Sequence, residues 1–319
     1  MVSKRPRSSR RWDAVHEGRD GWLFLTGGSN SVMDQYRGGL RHWWNLRAWA
    51  RLIEARAARA ARLGIRCVHM IVPEKLSVYD HMTRDLPYDA GLASTRRLAR
   101  RLAGQGAYLD LLGPFRAARD GPEPLYLRTD THWSAAGCLL AYREVMRAVA
   151  ALPPADIGTR PVVADARVMD LGDKLPGRPV ERIVRPQIQR DAVRAGTGAL
   201  LASYEAAGRA SDLHVGAHAV YRNDNPAADP RRIVLFGDSY AHFAPILLTG
   251  LLAESFAEVH FVWSSSLDWG YIARVRPDIL LFELAERFLA RLPSDDFDVA
   301  AGRRAGRGPA PPVPAEDGP

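Results

Sequence analysis

Residues 231–248, RRIVLFGDSYAHFAPILL, decide the fold. The apolar run IVLF (233–236) has the length and character of a strand buried on both faces. Gly237, Asp238 and Ser239 follow as a turn, and the apolar residues beyond read as a helix over about 241–254. A strand that turns sharply into a helix is the repeating unit of a parallel sheet with helices on its faces. In such sheets ligands sit in the crevice beyond the carboxyl ends of the strands. A serine there has its hydroxyl in the crevice.

The flanks repeat the unit. EVHFVW (258–263) and DILLFEL (278–284) are further apolar strands, the last leading into a helix at about 284–291. Upstream, HWWNLRAWARLIEARAARAARL (42–63) carries Leu46, Ala50, Ile53 and Ala57 at helical spacing and is closed by Gly64. Its tryptophans read as core or interface packing and its arginines as a solvated face. IRCVHMIV (65–72) is the next buried strand, followed by a helix at about 91–104, a short strand AYLDLL (107–112), and a helix over 134–151 with Ser134 as N-cap. Residues 152–231 are rich in Pro, Gly, Arg and Asp and break the rhythm, so they read as a long insertion between the two halves of the sheet. The expected organisation is an α/β domain over 17–292 with a central parallel sheet flanked by helices and the 152–231 insertion within it. A disordered basic N-terminus (1–16) precedes it and a disordered Pro/Gly-rich tail (293–319) follows.

Composition narrows the function classes. The chain has 319 residues, of which 47% are hydrophobic, enough for a sizeable core. The formal net charge is +8, and all but Lys4, Lys75 and Lys174 of its 44 basic residues are arginine. With so many alanines, that bias reflects a GC-rich genome as much as chemistry. No basic stripe interleaved with aromatics and no nucleic-acid motif is present, so nucleic acid is not an expected partner. Cys67 and Cys138 lie in apolar segments and read as buried free thiols, not a disulfide framework or a zinc site. The basic start has no apolar run behind it, and no stretch approaches the ~18 apolar residues of a membrane span. By sequence the chain is expected to be cytoplasmic.

A second stretch, YLRTDTHWSAAGC (126–138), puts Asp130 and His132 two residues apart at the mouth of a helix. In an extended segment residues i and i+2 project to the same side. Asp130 can then hold the Nδ1–H of His132 and leave Nε2 to take the proton of Ser239. A serine hydroxyl is a poor nucleophile without such a base. The unpaired N–H groups of the helix after Ser239 are expected to hold an oxyanion, with Gly237 leaving room for a substrate. Alone, either motif reads as an ordinary cap or turn; together they are stronger, because both sit where an α/β sheet puts its ligands.

Other residues stay open between roles. Trp133 is a platform for a sugar ring or packs under the following helix. Tyr240 lines the pocket or belongs to the core. Lys75, just past a strand end, holds a polyanionic sugar or an oxyanion, or is a solvated loop residue. Glu283 and Arg287 read as a structural ion pair. His214 and His218 are four apart with Gly216 between them and no acidic ligand spaced to complete a site, so they read as surface histidines; no metal is expected.

GRDGWLFL (18–25), VPEKLSVY (72–79), DTHWSAAG (130–137), FGDSY (236–240) and RPDILLFELAERFL (276–289) occur in that order. The set resembles the SGNH-hydrolase-like domain of the alginate O-acetyltransferases AlgJ and AlgX and of related polysaccharide acetylation proteins. The resemblance spans about residues 17–292. It implies an SGNH-like fold and a Ser239–His132–Asp130 triad. The implied reaction is transfer of an acetyl group to a sugar hydroxyl of a polysaccharide or glycan. No bound cofactor is implied, but an acetyl donor of unknown identity is. So is a membrane-embedded partner that supplies acetyl groups. Members usually work in the periplasm or cell envelope. The same site with water as acceptor would be a carbohydrate acetylesterase; a catalytically silent glycan-binding or scaffold subunit is the reading from another class. The Gly and Asn that complete an SGNH oxyanion hole have no identified counterpart.

Overall fold

A computed structural model of the chain describes residues 14–28 and 31–304. The tail beyond 304 and nearly all of the basic N-terminus therefore lie outside the described residues. A short hairpin, β1 (Val15–Glu17) and β2 (Leu23–Leu25), opens the fold, so the last residues of the expected disordered start are paired strand. Helix α1 (Leu40–Arg62) follows, and Gly64 ends it with φ +72°, a conformation that favours glycine. Then come β3 (Arg66–Val72), the single turn α2 (Lys75–Val78), α3 (Ser94–Arg101), the two-residue β4 (Tyr108–Leu109), α4 (Leu112–Ala118) and α5 (Ala135–Ala148). Ser134 caps α5 by accepting the Gly137 N–H at 3.2 Å, as the sequence predicts.

The 152–231 segment differs from the expected insertion. Its first half is a separate hairpin of β5 (Val162–Val168) and β6 (Val180–Pro186). Its second half holds β7 (Val193–Thr197), α6 (Ala199–Ala206), β8 (His218–Arg222) and the first residues of β9 (Asp229–Gly237). β7 and β8 belong to the central sheet. They escape a sequence reading because they are five residues long and mostly one-sided: in β8 only Ala219 and Tyr221 are buried. The fold closes with α7 (Leu248–Ala253), β10 (Phe256–Trp263), α8 (Trp269–Val275), β11 (Ile279–Ala285) and a small pair, β12 (Phe297–Asp298) with β13 (Arg303–Arg304).

The central sheet has seven strands in the order β4-β3-β11-β9-β10-β8-β7. The first five are parallel, and β8 and β7 extend the sheet antiparallel. Alternate residues of the parallel strands feed two cores, as period-two side-chain geometry requires. Val68, Met70, Ile233, Leu235 and Leu281 pack with α5 and α7 on one face. Cys67, Ile71, Val234, Phe236, Leu280 and Phe282 pack with α1 and α8 on the other. Both cysteines are buried and free. Among the described residues no helix is long and apolar enough to cross a membrane.

Residues 293–304, expected to belong to a disordered tail, are part of the second core. Phe297 and Val299 are buried there, and Asp295 accepts the Arg56 Nε–H at 3.0 Å and the Leu267 N–H at 3.1 Å. Arg56 is itself fully buried, over the Phe282 ring. Replacing Asp295 by Ala leaves that guanidinium uncompensated. The expected loss of unfolding free energy is about 3 kcal/mol, read as a lower urea midpoint with an unchanged slope.

Candidate active site

The loop that carries Asp130 and His132 is pinched at its base. Leu127 N–H donates to the His132 carbonyl at 3.2 Å, and Ser134 N–H to the Leu125 carbonyl at 2.9 Å. Between them the chain bends instead of running extended, so the two side chains meet by a different route from the one the sequence suggests. Asp130 Oδ1 accepts the backbone N–H of His132 and also faces its Nδ1, both at 2.7 Å. His132 Nε2 then lies 2.8 Å from Ser239 Oγ, 107 positions away in the chain. With Nδ1–H donating to the carboxylate, Nε2 is left to accept from the serine hydroxyl. Burial works against the Asp130 carboxylate, but the hydrogen bond and charge of His132 outweigh it and lower its pKa. Burial likewise disfavours a charged His132, and Asp130 reverses this and raises its pKa.

The serine turn is organised by Asp238. Its Oδ1 accepts from Tyr240 N at 2.9 Å, its Oδ2 from Ala285 N at 2.8 Å, and its carbonyl from Ala241 N and His242 N. These bonds correct the expected oxyanion site. No helix begins until Leu248, and three N–H groups after Ser239 are turned back toward Asp238. Gly237 also has a different reason. A Cβ there would lie 2.9 Å from Glu283 Oε2 and 3.2 Å from the Ala241 Cβ, so the turn itself needs the space that a substrate was expected to use.

Three other candidates hold the site without facing a substrate. Tyr240 is buried; its hydroxyl donates to the Thr131 carbonyl at 2.6 Å and accepts from Arg287 Nη2 at 2.9 Å. Trp133 is buried edge-on against Tyr240, at 5.1 Å, so it offers no platform. Lys75 is buried under the loop, and its Nζ donates to the carbonyls of Leu23, Leu127 and Arg128 at 2.7, 2.8 and 3.0 Å. Burial pulls its pKa down to about 7, against the charges of Asp130, Asp170, Glu181 and Glu74. Glu283 and Arg287 do not pair with each other. Arg287 binds Glu74 at 2.7 Å, and Glu283 accepts the Asp238 N–H at 2.9 Å. Burial, then the neighbouring Asp238 charge, push the Glu283 pKa well above the usual carboxyl range.

Sequence reasoning missed two supports from the 152–231 segment. Asp170 accepts from Thr131 N at 2.8 Å and Thr131 Oγ1 at 2.6 Å; Glu181 accepts from Arg128 N and Thr129 N, both at 2.8 Å. No local pattern marks either. Asp130, His132 and Asp170 offer ligand atoms within 4.8 Å of one another. Asp170 accepts from Thr131 with both oxygens, and Asp130 Oδ1 faces His132 Nδ1.

Above Ser239 and His132 opens a cavity of about 270 Å³, bordered by Ser211, His214, His242 and Trp263. His214 is exposed, as expected, and borders that cavity, edge-on to Trp263 at 5.0 Å. His218 is elsewhere, bonded to Tyr271 Oη at 2.8 Å.

Residues 15–208 match the family model described as SGNH hydrolase-like domain, acetyltransferase AlgX. The match includes Asp130 and His132 and ends before Ser239. Over 139 residues the chain is 29% identical to a probable alginate O-acetylase AlgJ of Pseudomonas fluorescens, covering 43% of this chain and 34% of that protein. It is 34% identical over 124 residues to the Pseudomonas aeruginosa counterpart, covering 38% and 29%. The chain therefore spans about a third of the length of these curated relatives. Among solved structures, the O-acetyltransferase domain of Pseudomonas putida AlgJ superposes with a TM-score of 0.57 at 17% identity, over 89% of this chain and 95% of that one. A DHHW family protein from Eubacterium siraeum gives 0.59 at 14% identity, over 89% and 92%. At these identities the likeness is one of fold. With the match over residues 15–208, the chain belongs to the family of SGNH hydrolase-like domains of the AlgX acetyltransferase type.

Proposed function

We propose that this chain is an O-acyltransferase that carries an acetyl group on Ser239 and passes it to a sugar hydroxyl of a polysaccharide or glycan. The contact of Ser239 Oγ with His132 Nε2, backed by Asp130, carries this reading. Ser239 Oγ attacks the acyl carbonyl of the donor as its proton moves to His132 Nε2. Asp130 holds the imidazolium that results. The tetrahedral intermediate collapses, the leaving group takes the proton from His132, and acetyl-Ser239 remains. An acceptor hydroxyl then enters, gives its proton to His132 and attacks the same carbonyl. Expulsion of Ser239 Oγ, which regains its proton, completes the transfer.

The acceptor class is proposed from the family and from two relatives named as probable alginate O-acetylases. A membrane-bound acyl-donating partner belongs to the same proposal. The tests use an activated acetyl ester. Intact-mass analysis of the parent should show a gain of one acetyl group on the peptide that contains Ser239, and Ser239→Ala should show none. A silent scaffold would give no gain in either. Adding a sugar acceptor should speed loss of the acetyl group and put it on the sugar; loss to water at an unchanged rate would mean an esterase.

The base is the neutral imidazole. Because Asp130 raises the His132 pKa, the acylation rate should climb with pH through a midpoint above the ordinary histidine value of about 6.5. Asp130→Asn removes the raising influence, so the midpoint should fall while the rate drops on the order of 10⁴-fold. Tyr240→Phe removes the hydroxyl that ties the serine turn to the Thr131 carbonyl and leaves a buried Arg287 N–H unpaired. It should lower stability by about 2 kcal/mol, measured by thermal or urea unfolding.

A further inference from the structure

The tetrahedral intermediate needs hydrogen-bond donors for its oxyanion, and the turn after Ser239 has turned three of its N–H groups toward Asp238. Three residues beyond Ser239 stands His242, on the wall of the same cavity. Its backbone is left-handed, with φ +66°, an uncommon conformation for a non-glycine residue and one that concentrates at functional sites. Its Nδ1 accepts the Ala244 N–H at 2.9 Å, so Nδ1 carries no proton and, in the neutral ring, Nε2 does. Nε2 meets no hydrogen-bond partner among the described residues. The ring is fixed on both sides, stacked on Phe243 at 4.5 Å and edge-on to Trp263 at 5.8 Å.

Building on the acyl-transfer reading, we propose that His242 is a second catalytic imidazole, whose Nε2–H donates to the acyl oxygen as negative charge develops there. It exchanges no proton. The carbonyl π pair moves onto oxygen as Ser239 Oγ bonds the carbon, the serine proton goes to His132, and His242 keeps its own. When the intermediate collapses, the pair returns and the leaving group departs with the proton from His132. The division of labour is chemically consistent. His132 has its pKa raised by Asp130 and can accept a proton. Burial, with His132 and His214 nearby, draws the His242 pKa down to about 4, so it stays a neutral donor while His132 becomes charged.

Three substitutions in the whole chain test this, with p-nitrophenyl acetate as donor and acyl-Ser239 formation followed by intact mass and nitrophenolate release. His242→Ala removes the ring. His242→Asn keeps a residue at ease in the left-handed backbone but draws its short amide back from the cavity. His242→Gln keeps an acceptor and a donor on either side of one carbon. Ala and Asn should slow acylation by about 10²–10³-fold, with KM changed less than about twofold. Gln should stay within about tenfold of the parent, and melting curves should show all three folded. Acylation at the parent rate in the Ala variant, an Asn variant equal to the parent, or a Gln variant as slow as Ala overturns the donor role. If Ser239→Ala is inactive in those same experiments, the acyl-transfer reading survives. A parent that never acylates on Ser239 overturns both.

Discussion

The Tyr240 hydroxyl has one proton to donate, and the whole site depends on where it goes. Arg287 Nη2 donates to the phenol oxygen, which obliges the phenol proton to point elsewhere, and it points at the Thr131 carbonyl. Thr131 lies between Asp130 and His132, and Tyr240 lies beside Ser239. One oriented hydroxyl thus fixes two loops, 109 positions apart, at the spacing a proton transfer needs. The Glu74–Arg287 pair gives that chain its direction. Buried pairs are poor sources of net stability, because desolvation offsets their attraction. This one earns its place by orientation.

Beneath the serine, buried carboxyl groups stand close together and are held by different partners. Asp238 accepts two backbone N–H bonds with its two side-chain oxygens. Glu283, fully buried next to it, is driven toward its protonated form by burial and by that neighbour. Glu286 accepts from Thr95 N, Thr95 Oγ1, Glu74 N and Ser77 Oγ, which ties α2 and α3 to the end of β11. Its pKa is nonetheless raised, burial again being the largest influence. The floor of the site is therefore a buried polar layer tied together by Arg287 and by backbone N–H groups, and the crevice side is left to His132 and Ser239.

How much of this could be read from the chain depends on the range of the interaction. The parallel strands were legible because both of their faces are apolar, and α1 because its buried stripe, from Leu46 to Ala60, runs for about four turns. The Asp130–His132–Ser239 grouping was legible because each residue sits at a strand or helix end. β7 and β8 were not, since short strands with one solvated side look like loops. Nor was the fate of Tyr240, Trp133 and Lys75. A polar side chain at a strand end looks the same in sequence whether it faces a substrate or a backbone carbonyl. The helix after Ser239 was misplaced because AHFAPILL is apolar enough to be helical, whereas Asp238 accepts the N–H groups that would have started it.

The five motifs that carry the family resemblance turn out to be one hydrogen-bonded body. GRDGWLFL supplies the Leu23 carbonyl to Lys75; VPEKLSVY supplies Lys75, Glu74 and Ser77; DTHWSAAG supplies Asp130, Thr131 and His132; FGDSY supplies Asp238, Ser239 and Tyr240; and RPDILLFELAERFL supplies Glu283, Glu286 and Arg287. Most of these contacts hold the site together and few of them face the cavity. The residues that border the cavity beside His132 and Ser239, among them Ser211, His214, His242 and Trp263, come from outside the motifs. On the proposed acyl-transfer reading, the motifs hold the serine site together, whereas recognition of donor and acceptor falls to a wall on which the resemblance is silent. On that same reading, a change in the wall alone would alter the acceptor and leave the buried Tyr240–Thr131 contact untouched.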